Sequence, residues 1–178
     1  MKSNIAKLFC LTLALALLLG MSAMPVQAKA IKVALLLSGP ANDGGWNAVA
    51  VAGLKAAEKK YGIETAYTEP VSVAGSEAAF TADAAQGYDL GIGHGFPYGD
   101  PAVRVGKRFP KSKFVAIEGN SSSDNAASFR IACEEAGYLM GILAASMTKS
   151  GVIGMVGGVE QPSIVKVVEA YKLGAKAY

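Results

Sequence analysis

Histidine and tryptophan occur once each in this 178-residue chain, and cysteine twice. Each scarcity excludes something. His94, with no cysteine pair or cluster of acids around it, falls short of a metal ligand set, so no metal is expected. Cys10 lies in a segment expected to be removed, which leaves Cys133 alone and an internal disulfide impossible. Cys133 reads as a small core residue on a helix, or else as a reactive thiol. Charge of one sign is also lacking: 17 Lys and Arg stand against 14 Asp and Glu. A nucleic-acid partner needs a basic stripe, and none is present.

Long apolar runs are limited to one, Leu8 to Leu19, too short to span a bilayer comfortably. Lys2 and Lys7 precede it, and the small-x-small site Val26-Gln27-Ala28 follows. This pattern predicts a signal peptide over residues 1–28, cut after Ala28, and therefore an exported protein. The other reading is an uncleaved membrane anchor. Cys10 sits early in the apolar run rather than just after it, so no lipid anchor is expected there. Removing Lys2 and Lys7 leaves 15 basic and 14 acidic residues, a net charge of +1. The remaining ~150 residues suffice for one ordinary domain.

Strand and helix patterns then alternate. Ile31–Leu37 reads as a buried strand and Gly44–Tyr61 as an amphipathic helix closed by Gly62. Ile63–Tyr67 is a second strand, Val73–Gln86 a helix, Tyr88–Ile92 a third strand, Tyr98–Phe109 a helix and Lys113–Ile117 a fourth strand. After the polar loop Ser121–Asn125 come a short strand at Ala127–Ile131 and a helix at Cys133–Thr148. That helix is expected to turn Tyr138, Leu139, Ile142 and Leu143 inward and to offer Gly137 and Gly141 for close packing. Val152–Val156 and Ser163–Tyr178 read as a last strand and helix. This strand either joins the edge of the first sheet or opens a second domain.

The alternation predicts an α/β fold, an open parallel sheet with helices on both faces. Ligands of such sheets bind beyond the carboxyl ends of the strands. Right-handed crossovers bring the loops after Leu37, Ile92 and Ile117 to one edge. Asn42, Asp43, Trp46, Asn47, Gly93, His94, Phe96 and Glu118 are therefore candidate ligand-binding residues. A flat indole among short polar side chains suits a planar polar ligand.

Each candidate also has a plainer use. Trp46 packs against the sheet, Asp43 caps the following helix, Asn47 is a solvated helix position and Phe96 a loop anchor. His94 bonds ligand or loop backbone; as a general base it lacks a nucleophile to serve. Gly93-His94-Gly95 lets a ligand approach the backbone but is too short for a phosphate loop. A small exported flavodoxin-like enzyme would need a catalytic set at the strand ends, which these residues do not supply.

Several stretches together resemble the basic membrane protein family. They are Ser38–Asn47, Gln86–Gly93, Phe109–Phe114, Glu134–Ala145 and Gly151–Gly158, in that order and spacing, and the resemblance covers residues 31–178. It implies a substrate-binding protein of an ABC importer, related to purine nucleoside receptors and built as a two-lobed type I periplasmic binding protein. Residues 29–150 then correspond to the N-terminal ligand-binding lobe and 151–178 to the start of a second lobe, most of which is missing. The implied ligand is a purine nucleoside or nucleobase, and the implied partner an ABC permease; no cofactor is implied. A riboflavin or other planar aromatic ligand is the alternative on the same scaffold. Trp46 stands where the family usually has a phenylalanine that stacks on the base. Asp43 and Asn47 flank it as hydrogen-bonding residues, and Glu118 stands where an aspartate is usual. His94 is no fixed feature of the family, and the lipobox common among its members is lacking here.

Overall fold

The structure, a computed structural model, describes residues 29–178. The proposed signal peptide and Cys10 lie outside the described residues.

Among the described residues five strands and five α-helices follow in order, with a short 3-10 turn at Phe96–Tyr98 before the third α-helix. They are β1 (Lys32–Leu37), α1 (Trp46–Tyr61), β2 (Glu64–Thr68), α2 (Ser76–Ala85), β3 (Leu90–His94), α3 (Gly99–Arg108), β4 (Lys113–Ile117), β5 (Ala126–Phe129), α4 (Cys133–Met147) and α5 (Pro162–Ala177). The strands form one sheet in the order β2-β1-β3-β4-β5. Every neighbouring pair is parallel. This is the expected α/β architecture.

Alternation along β1 divides the core in two. Val33, Leu35 and Leu37 pack with Leu54 of α1 on one face. Leu36 faces the opposite side, with Phe80 and Ala84 of α2, Ala102 and Val105 of α3, and Phe114 of β4. Strand residues of period two must serve both faces, which is why β1 reads as a continuous apolar run. Among the described residues no helix is long and apolar enough to cross a membrane.

The register places the candidate site. His94 is the Cα partner of Leu37 on one side and of Ile117 on the other. Three strands thus end level, and the loops that follow them share one edge. The third strand runs two residues further than the sequence predicts, because pairing with both neighbours extends the ladder through Gly93 and His94.

Three further expectations are corrected. Cys133 is exposed rather than a core residue. Val152–Val156 forms no strand. Val152 and Val156 are exposed, and among the described residues the segment finds no ladder partner, without which an extended run is not a strand. On α4, Tyr138, Leu139 and Leu143 are exposed rather than inward, Leu139 at 64%. Gly137 and Gly141 are the buried positions, set against α5.

Gly93 has a packing role rather than an open one. A Cβ added there would lie 2.4 Å from Cβ of Tyr98 and 2.9 Å from Cζ of Phe80. Both rings are fully buried, so neither can swing aside. Gly93→Ala is expected to destabilise the fold by ~1–3 kcal/mol, the usual cost of overpacking. A thermal melt followed by circular dichroism measures it; an unchanged midpoint would show that the Tyr98 pocket has slack.

Candidate functional site

The loop after β1 leads into α1 through an aspartate. Asp43 Oδ1 accepts from the N–H groups of Gly45 (2.8 Å) and Ala48 (3.0 Å), and Oδ2 from that of Asn47 (3.0 Å). Those first-turn donors have no partner inside the helix, so a carboxylate is the natural acceptor. The bonds favour the charged form and hold the Asp43 carboxyl at about 2. The sign follows directly. With a folded value of about 2 against 3.8 otherwise, the stabilisation is fully present above 3.8 and is lost as pH falls through the folded value. The stability difference between the parent and Asp43→Asn is therefore expected to shrink as pH drops from about 4 to about 2. Paired denaturant titrations across that range check this; a constant difference rules it out.

Asn47 lies beneath the cap. Its Nδ2 donates to Asp43 Oδ2 at 2.9 Å. Since a carboxylate can only accept, this fixes the amide orientation. Asn47 is buried, and its Oδ1 has no hydrogen-bond partner among the described residues. A buried unpaired acceptor is costly, and a donor from a ligand or water relieves that cost.

Trp46 opens α1 and is 41% exposed. One side of its ring is covered. The His94 imidazole stacks on it, with centroids 4.0 Å apart and planes inclined by 21°. His94 Nε2 lies 2.9 Å from the Trp46 carbonyl oxygen, and Trp46 Nε1–H donates to the His94 carbonyl at 3.3 Å. Burial lowers the His94 pKa, opposed by its bond to the Trp46 carbonyl and by the nearby Asp43 charge. At neutral pH the imidazole is uncharged and Nε2 carries the proton.

Beyond the strand ends lies a hollow of about 380 Å³. Trp46, Phe96 and Glu118 line it, together with Ser38, Gln161 and Ser163. Three of the sequence-derived candidates therefore meet there. Asn42 and Asp43 are exposed on the same loop but do not line the hollow, whereas Asn47, Gly93 and His94 are buried behind it. Glu118 serves the backbone as well: its Oε1 accepts from Ile131 N–H at 2.6 Å, and it has a left-handed φ of 63°. The carboxylate thus ties the end of β4 to the segment entering α4.

Sequence reasoning missed Ser38, Cys133, Gln161 and Ser163 as lining residues. The signal available was Gln161-Pro162-Ser163, a proline at the first helical position between polar residues, which marks a helix start. A larger hollow, about 480 Å³, lies between α4 and α5 and is lined by Ile153, Met155 and Tyr171. None of the strand-end loops reaches it, so the smaller hollow is the better candidate.

Level strand ends with a half-exposed aromatic ring at the rim are the geometry expected where an open α/β sheet takes up a ligand. The chain belongs to the Bmp family, described as ABC transporter substrate-binding protein PnrA-like, whose pattern it matches over residues 30–178. It is 32% identical to a purine-binding protein of Brucella abortus over 150 residues, 83% of this chain and 43% of that one. It is 33% identical to the ABC transporter nucleoside-binding protein BmpA of Lactococcus lactis, over 76% of this chain and 40% of that one. Among solved structures, an ABC transporter solute-binding protein of Aeropyrum pernix superposes with a TM-score of 0.74 at 29% identity, covering 83% of this chain and 43% of that one. The chain spans less than half the length of the curated relatives named here.

Proposed function

We propose that this chain is the ligand-receiving lobe of an exported substrate-binding protein that delivers a purine nucleoside or nucleobase to an ABC permease. The observation that carries the reading is the exposed face of Trp46 at the strand-end hollow, beside Phe96 and Glu118. The names of the purine-binding and nucleoside-binding relatives support the ligand class. Residues 1–28 act as the export signal, and residues 151–178 begin a second lobe that closes over the ligand. The protein carries out no covalent step: the base stacks on the indole, while Glu118 and the polar rim supply hydrogen bonds.

Magnitudes set the expected affinity. One base stacked on an aromatic side chain contributes roughly 1–3 kcal/mol. Micromolar binding needs about 8 kcal/mol. The remainder must come from polar contacts and from whatever faces the indole across the cleft, so residues 29–178 by themselves are expected to bind weakly. The test is quenching of Trp46 fluorescence by guanosine, inosine and adenine, with glucose and riboflavin in parallel and calorimetry for affinity. Saturable quenching by the purines alone is the expected result. Saturation by riboflavin or glucose but not by purines overturns the ligand class, and submicromolar purine binding overturns the division of the site between two lobes.

A further inference from the structure

We infer that His94 is a positioning residue of the binding site: it fixes Trp46 from behind and leaves a single face of the indole for the guest. The inference rests on the reading of Trp46 as the ligand platform and goes beyond it in assigning how that platform is held.

His94 is itself immobilised. It closes β3 between Leu37 and Ile117 in the ladder, and it is only 8% exposed. Two hydrogen bonds and a stack then join it to Trp46. The imidazole donates from Nε2 to the Trp46 carbonyl, the indole N–H donates to the His94 carbonyl, and the rings lie face to face. A tryptophan at a loop-to-helix junction would otherwise sample several rotamers. Held in this way, it loses less freedom when a ligand arrives.

The two rings also separate two spaces. His94 lines an apolar hollow over the sheet face with Leu90, Ile92 and Ile117, and Trp46 does not. Trp46 lines the strand-end hollow, and His94 does not. From one side to the other the order is apolar hollow, imidazole, indole, ligand space. His94 therefore reaches no ligand, and a guest gripping both faces of the indole has no room.

Trp46 is the chain's only tryptophan, so its fluorescence reads the pair without any ligand. An imidazolium in contact quenches an indole. Emission is expected to titrate with a midpoint below the ordinary histidine value of ~6.5. The charged groups near the pair are Asp43, whose charge acts on His94, and Glu118, next to the ladder partner Ile117. Asp43, held at about 2, keeps its charge across that range.

His94→Gln keeps a donor towards the Trp46 carbonyl without a ring; His94→Phe keeps a ring without a donor. Both are expected to lose the titration. Shielding of the indole from acrylamide should survive in His94→Phe and fall in His94→Gln. Guanosine affinity should fall in His94→Gln with Asp43 and Glu118 untouched, and recover towards the parental value in His94→Phe. A titration that persists in His94→Gln overturns the assignment, as does unchanged acrylamide access there. If the titration is lost but no planar ligand quenches the parent, the positioning role stands and the nucleoside reading falls.

Discussion

Alanine at Gly141 is expected to loosen α5 from α4, although alanine is the better helix former. The close approach of these helices runs through glycines. A Cβ at Gly141 would stand 2.1 Å from the Tyr171 carbonyl oxygen and 2.9 Å from the Ala175 nitrogen. From the other side, a Cβ at Gly174 would stand 1.9 Å from the Tyr138 carbonyl oxygen, and one at Gly137 would stand 2.7 Å from that of Val167. Every one of these obstacles is backbone, so no rotamer change relieves it. The helices must move apart, and the Cα–H contacts to carbonyls along the seam are lost with the separation. Against this, Gly→Ala within a helix gains about 1 kcal/mol in propensity. Overpacking costs ~1–3 kcal/mol and occasionally more. The obstruction wins because it is rigid and because the larger apolar residues of α4, Leu139, Met140, Leu143 and Met147, are exposed. The expected result is faster amide exchange across α5, with the sheet protected as before. Exchange at parental rates in Gly141→Ala would show that the helices are not held by this seam.

The same helix shows where reading by pattern stops. Over Cys133–Met147 the sequence is apolar nearly all round, so period 3.6 marks a helix but does not choose its face. Size suggests that Leu139 and Leu143 go inward. Close backbone approach instead selects the glycine face, a preference visible only once α5 is in place. The sheet was more legible. β1 and β4 read clearly because buried parallel strands are continuous apolar runs bounded by turn residues. Lys113–Ile117 agrees residue for residue. At Val152–Val156 a run of equal quality yields no strand, because a ladder needs a partner.

At the candidate site the division is similar. Chain order and the strand-end rule place Trp46, Phe96 and Glu118 at one rim. That Asp43 caps α1 follows from local spacing. The stack of His94 on Trp46 joins residues 48 positions apart and depends on the pairing of β3 with β1, which no local pattern carries. Nor does any local pattern show that Asn125 donates its side-chain amide to the carbonyls of Gly106, Phe109 and Ser112. Its loop reads from sequence only as polar.

Trp46→Ala is expected to reduce purine affinity by roughly 5- to 150-fold, the equivalent of ~1–3 kcal/mol for one stacked base. The fold should survive, since the residue is 41% exposed and the main apolar clusters do not include it. A smaller loss in stability, about 0.5–1.5 kcal/mol, is expected from the ring pair with His94. Trp46→Phe separates the contributions. It retains a stacking face but loses the Nε1–H donor to the His94 carbonyl, a 3.3 Å bond and so a weak one. Affinity in Trp46→Phe should lie near the parental value, and in Trp46→Ala far below it. Calorimetry with guanosine on the two variants, alongside their melting curves, distinguishes loss of the platform from loss of the fold. Parental affinity in a folded Trp46→Ala variant would remove the indole from the site. The polar rim, Glu118 and Ser38 with Gln161 and Ser163 at the start of α5, would then have to hold the ligand through hydrogen bonds alone, without a stacking surface.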